Sequence, residues 1–88
     1  MFMKIVFDEH KRHLTLAKRG MDFAELSIEF FESAAIVPAK ISRFKATGEF
    51  RGKIIALIFK PLGSEALSVI SMRRANQDER TEYEKFNS

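Results

Sequence analysis

Apolar and polar positions change their rhythm several times along the chain, and each rhythm predicts an element. Met3–Phe7 is a short apolar run rich in β-formers, which predicts a strand. Asp8 is a good N-cap, Glu9–Arg19 follows as a helix, and Gly20 sits at its C′ position. At about 100° per residue, Lys11, Arg12, Lys18 and Arg19 share one arc with Thr15 between them. Leu14, Leu16 and Ala17 share the opposite arc, so the pattern predicts a basic stripe outward and a modest apolar stripe inward. Asp22-Phe23-Ala24-Glu25 has capping-box spacing and predicts a second helix to about Ser33. Glu25, Glu29 and Glu32 make a narrow acidic stripe on that helix, while Phe and Leu residues fill the rest and mark it as the core helix. Pro38 and the Ala/Ile/Val stretch before it end the helical region.

Three strands are predicted next. Ile41–Thr47 alternates, Lys53–Phe59 is apolar on both faces as a central strand should be, and Ala66–Arg73 is the last. Gly48–Gly52 and Pro61–Ser64 supply the turns between them. Asn76-Gln77-Asp78-Glu79 is a further capping box, opening a terminal helix to about Phe86. The order β-α-α-β-β-β-α predicts an α+β fold, an antiparallel meander sheet with helices packed on one side. With no internal repeat, residues 1–88 are expected to form a single small domain.

Composition narrows the function. The 88 residues are too few for two catalytic lobes or a full nucleotide-binding α/β domain. The absence of Cys removes a disulfide scaffold, a Cys-type zinc site, an iron–sulfur cluster and thiol catalysis. Uncharged runs are far short of the roughly 18 apolar residues of a spanning helix. Met1–Phe7 is too short for a signal-peptide core, so a cytoplasmic location without membrane contact is expected. The net charge of +3 is uneven: residues 21–39 hold four acids and no base, whereas residues 40–60 hold six bases and one acid. Such a basic block is either a solvated face or a surface for a polyanion.

No Gly-rich phosphate loop, H-E-x-x-H or G-x-S-x-G motif is present. His10 and His13 stand three apart with only Asp8 and Glu9 beside them, a poor metal set, so neither metal nor cofactor is expected. The dense polar cluster lies at the junction of the last strand and last helix: Ser71, Arg73, Arg74, Glu79, Arg80 and Tyr83. Two arginines, a carboxylate and a phenol beside a helix N-terminus suit phosphodiester chemistry, with Arg stabilising a phosphorane and Glu or Tyr moving a proton. The alternative is structural, with Glu79 only the capping partner of Asn76 and Arg80 paired with Glu84. If Phe86 faces the core, Glu79 and Tyr83 lie along its edge. Among the aromatic residues Phe44 and Phe59 read as core, and Phe50, in a basic turn, is the candidate for stacking on a base.

Asp8-Glu9-His10-Lys11, Ala17-Lys18-Arg19-Gly20-Met21-Asp22-Phe23, Val69-Ile70-Ser71-Met72-Arg73-Arg74-Ala75 and Glu79-Arg80-x-x-Tyr83-Glu84 together resemble the BrnT family. These are toxins of type II toxin–antitoxin systems, similar in fold to RelE, and the resemblance spans nearly the whole chain. It implies a small, metal-independent endoribonuclease that inhibits translation and growth. It also implies a cognate antitoxin, BrnA, whose ribbon-helix-helix domain binds DNA so that the complex represses its own operon. Lys11, Lys18, Arg43, Arg73, Glu79, Arg80 and Tyr83 match positions where the family usually has a similar residue. Thr15, Arg19 and Ser68 depart from it, standing where Asn, His and Arg are frequent.

Residues and resemblance together name a site. Arg73, Glu79, Arg80 and Tyr83 are the candidate catalytic residues. Lys11, Lys18, Arg19, Arg43, Lys45, Arg51 and Arg74 are the candidate RNA-binding residues. Two rivals stay open: a non-catalytic nucleic-acid-binding module, and an interaction domain for an acidic protein.

Overall fold

Local sequence signals set the helix ends in the computed structural model, which describes residues 4–88. Strand β1 (Lys4–Phe7) leads into helix α1 (Glu9–Arg19). Asp8 caps that helix by accepting from the backbone N–H groups of His10 and Lys11 at 2.7 and 3.3 Å. Gly20 ends it in the left-handed region, which a side chain would make costly. The Met3 end of the expected first strand lies outside the described residues.

The segment expected as one helix from Asp22 to Ser33 is broken. A single 3₁₀ turn, Phe23–Glu25, is followed by extended residues and then the short helix α2 (Ile28–Ser33). Asp22 accepts from the Ala24 N–H at 2.9 Å, so it does cap, but the turn it caps closes at once. Phe23, Leu26 and Phe30 are all buried. Bringing all three inward outweighs the few hydrogen bonds a continuous helix would add.

Ala35–Pro38, expected only as the end of the helical region, forms strand β2. It pairs antiparallel with β3 (Phe44–Phe50), which in turn pairs with β4 (Lys53–Leu62), and β4 with β5 (Ala66–Arg74). Helix α3 (Gln77–Phe86) closes the chain. The sheet order is β1-β5-β4-β3-β2, and β1 runs parallel to β5. The α+β class is therefore as expected, while the sheet is mixed where an antiparallel one was expected. A meander accounts for β2 to β5, and the chain must cross the whole sheet between β1 and β2.

Gly48, expected in a turn, lies inside β3; the turn is Arg51-Gly52, with φ of 53° and 81° and a two-residue hairpin between Phe50 and Lys53. A Cβ at Gly48 would stand 3.0 Å from Phe30 Cε1 and 3.2 Å from Ala34 Cβ, so the glycine lets α2 lie close on β3. Phe44, Ala46, Phe50, Ile55, Leu57, Phe59, Leu67, Val69 and Met72 build one face of the sheet, covered by Phe23, Leu26 and Phe30. Strand alternation puts Lys45, Thr47, Ala56, Ile58 and Arg73 on the other face. Helix α3 packs there, over β3 and β2. Helices thus occupy both faces, where packing on one side was expected.

Helix α1 packs against β5 through Thr15, its one buried residue, while Leu14 and Leu16 stay exposed, the reverse of the predicted orientation. Arg12, expected in the outward stripe, turns to Asp22. Its Nε and Nη2 donate to the two carboxylate oxygens at 2.7 and 3.1 Å, and its Nη1 donates to Glu9 at 3.1 Å. The fork holds Asp22 ionised down to a pKa of about 2 and locks the turn after α1.

Candidate functional site

Glu79 is the centre of the polar cluster. The capping box puts it at the third position of α3: Asn76 Oδ1 accepts from the Glu79 N–H at 2.8 Å, and Glu79 Oε1 accepts from the Asn76 N–H at 2.9 Å. The same carboxylate takes a two-pronged contact from Arg73, with Nη1 to Oε1 and Nη2 to Oε2 each at 2.8 Å. Lys45 Nζ adds a fourth donor, 3.0 Å from Oε2. The structural and the charged reading of Glu79 therefore hold together in one side chain.

Its electrostatics follow. The Glu79 side chain is 5% exposed. The Arg73 guanidinium, against the opposing effect of burial, pulls its pKa from 4.5 to about 2, helped by the Asn76 N–H and Lys45. Glu79 in turn raises the pKa of Arg73. A carboxylate so acidic, out of solvent and accepting from four donors, is poorly suited to take up a proton at neutral pH. This differs from the proton-carrying role expected for it, and the physical reason is the Arg73 fork. Arg73 itself keeps 42% of its side chain exposed, so one side of the guanidinium faces solvent while the other is clamped.

The other expected residues divide. Tyr83 is half-buried one helical turn beyond Glu79. Arg80 lies exposed on α3 and donates to Gln77 Oε1 at 2.9 Å, not to Glu84. Phe86 is 59% exposed and does not anchor the helix in the core. Lys45 is half-buried and occupied by Glu79, and exposed Arg51 pairs with Glu25, so neither is a free cation on the RNA-facing surface expected for it. Phe50 is buried in the core and offers no stacking face. Phe44 and Phe59 stack on each other as core residues, with ring centroids 5.8 Å apart.

Two depressions collect six of the remaining cations. One, of about 260 Å³, is lined by Lys11, Leu14, Thr15, Lys18, Arg19 and Ile70, so the α1 residues singled out in the sequence do converge. The other, of about 440 Å³, is lined by Lys40, Ile41, Ser42, Arg43 and Lys60. Arg43 was singled out in the sequence, whereas Lys40 and Lys60 were not. Both lie in the basic block 40–60, but only strand pairing brings Lys60 beside Arg43. Arg74 is exposed at the end of β5, its carbonyl accepting from Arg73 Nη1 at 3.2 Å.

The family model described as "Ribonuclease toxin, BrnT, of type II toxin-antitoxin system" matches residues 7–79. The protein is thus of the class of ribonuclease toxins, and type II membership implies an antitoxin partner. Among solved structures, the 1.1 Å crystal structure of the Brucella abortus ribonuclease toxin BrnT is similar, with a TM-score of 0.79 and 62% identity over 85% of this chain and 99% of that one. The chain belongs to the BrnT family. Comparison with curated proteins gives no match. No helix among the described residues is long and apolar enough to cross a membrane.

Proposed function

We infer that this toxin is a metal-independent endoribonuclease. A ribose 2′-OH attacks the adjacent phosphorus. The new 2′-O–P bond forms as the P–O5′ bond breaks, leaving a 2′,3′-cyclic phosphate and a 5′-OH. One proton leaves the 2′-oxygen and one reaches the departing 5′-oxygen. The exposed side of Arg73 neutralises the charge of the phosphorane, and Glu79 is a positioning residue that holds Arg73 and Lys45. Tyr83, on the same side of α3, serves both transfers, its phenolic oxygen accepting the 2′-proton as its own proton passes to the 5′-oxygen, and Arg80 adds positive charge at the edge. Lys11, Lys18, Arg19, Arg43 and Arg74 hold the RNA backbone.

A single observation carries this reading: a half-exposed arginine clamped by a buried carboxylate at the start of a helix. Such a guanidinium is pre-organised for phosphate, and orienting it at the moment of reaction costs little. The partner is a BrnA-like antitoxin with a ribbon-helix-helix DNA-binding domain, and the complex rather than the toxin alone occupies operator DNA. Cleavage of cytoplasmic RNA stops translation and growth.

The test is cleavage of a labelled RNA by antitoxin-free protein in the presence of EDTA, with the product ends identified. Wild-type protein yields cyclic phosphate ends at a rate EDTA leaves unchanged. Arg73→Ala loses about 10²–10³ in rate. Arg73→Ala cutting at the wild-type rate, or cleavage abolished by EDTA, overturns the proposal.

A further inference from the structure

A cation without a carboxylate partner has its whole charge free for another anion, whereas Arg73 keeps only its exposed side. Arg12, Lys45, Arg51 and Arg73 are all paired. Among the described residues, Lys40, Arg43 and Lys60 have no carboxylate in ion-pair reach, and all three line the 440 Å³ depression.

The segment that presents two of them is tightly built. Arg43 N–H donates to the Lys40 carbonyl and Ala39 N–H to the Arg43 carbonyl, both at 2.9 Å. Ser42 closes the turn in the left-handed region, with φ of 58°. Ile41 stands at the lip, 90% exposed, an apolar surface beside three positive charges.

We propose that this depression is a second phosphate-binding site, holding the backbone of the same single-stranded RNA at a distance from the bond that is cut. The proposal rests on the ribonuclease reading above. Its geometry comes from the sheet. Arg73 pairs with Ala56, and Lys60 lies four residues further along β4. Because Leu57 and Phe59 face the core, Ala56, Ile58 and Lys60 share the α3 face with Arg73. Four residues of strand put the Lys60 row about 13 Å from the Arg73 row. At a stacked rise of about 3.4 Å per nucleotide, the held phosphate is at most about four nucleotides from the cleaved one. The row between them holds Ile58 and Ser71, with the Lys45 there already taken by Glu79. Two cationic points set apart along one strand direction match two phosphates of one extended backbone. The exposed Ile41 suits the apolar face of a base or sugar next to the held phosphate.

The probe is a fluorescein-labelled single-stranded DNA 12-mer, which carries the phosphates but has no 2′-OH to attack. Binding to antitoxin-free protein is read by anisotropy from low to moderate salt. Lys40→Ala/Lys60→Ala is expected to weaken binding and to lower the slope of log affinity against log salt by about 0.7, one phosphate contact on a single strand. Lys4→Ala/Lys85→Ala removes the same charge elsewhere and keeps the wild-type slope. With RNA, the first variant raises KM far more than it lowers kcat. Equal slopes for the two double variants overturn the proposal, since net charge would then suffice. So does an unchanged slope with lost antitoxin affinity, which makes the depression a protein-docking surface. An unchanged slope together with inorganic phosphate retained only by the wild type also overturns it, in favour of a free-anion site. Wild-type protein that shows the slope difference but cuts no RNA removes the ribonuclease reading and leaves the depression as a phosphate site.

Discussion

Glu79, on α3, and Thr47, on the sheet face that α3 covers, have opposite consequences. Glu79 satisfies four donors. Its pKa is about 2 in the fold against an ordinary 4.5, so the fold favours the ionised form. That contribution is fully present above the ordinary value and fades as the pH drops toward 2. Removing one member of a buried pair costs about 3–5 kcal/mol, and the half-exposed Arg73 brings Glu79→Gln to the lower end of that range at pH 7. The stability gap to wild type, followed by denaturant unfolding, is expected to close between about pH 5 and pH 2; a gap independent of pH would show that the charge is not its source. Thr47 is fully buried, and its Oγ1 has no hydrogen-bond partner. Thr47→Val keeps the shape and removes the orphan hydroxyl, so a gain of about 1 kcal/mol or more is expected in thermal unfolding. The Asn76-to-Glu79 spacing was readable in the sequence because capping is local. The partners of Glu79 were not, since Lys45 is 34 residues away and the fold alone brings it there.

Strong local signals placed α1, β4, β5 and α3 within a few residues, and the errors gathered where the local signal was weak. With three apolar residues in an 11-residue helix, the periodicity of α1 did not fix its orientation; the Arg12–Asp22 fork and the narrow contact with β5 did. The capping signal at Asp22 was real, yet burial of Phe23, Leu26 and Phe30 against the sheet broke the helix behind it. Gly48 looked like turn punctuation and is instead the point where α2 touches β3. Gly48→Ala pushes a methyl to 3.0 Å from the Phe30 ring. A loss of about 1–3 kcal/mol in unfolding free energy is expected from such overpacking. An unchanged midpoint in chemical denaturation would mean that α2 moves away freely.

Across the whole molecule, ion pairing sorts the fifteen Lys and Arg residues into two groups. Those committed to carboxylates hold the fold together: Arg12 ties α1 to the turn after it, and Lys45 and Arg73 tie the sheet to α3. Others, among them Lys11, Lys18, Lys40, Arg43 and Lys60, line open depressions and form the surface a polyanion would meet. Composition alone revealed the basic block without showing this division. The chain by itself determined the α+β class, the capped ends of α1 and α3, the central position of β4 and, through its motifs, the family, because each depends on neighbours in sequence or on long apolar runs. Tertiary structure decided the parallel place of β1, the second helix-bearing face, the burial of Phe50 and which cations remain unpaired. Those outcomes turn on contacts between residues distant in sequence, whose energies no local pattern contains.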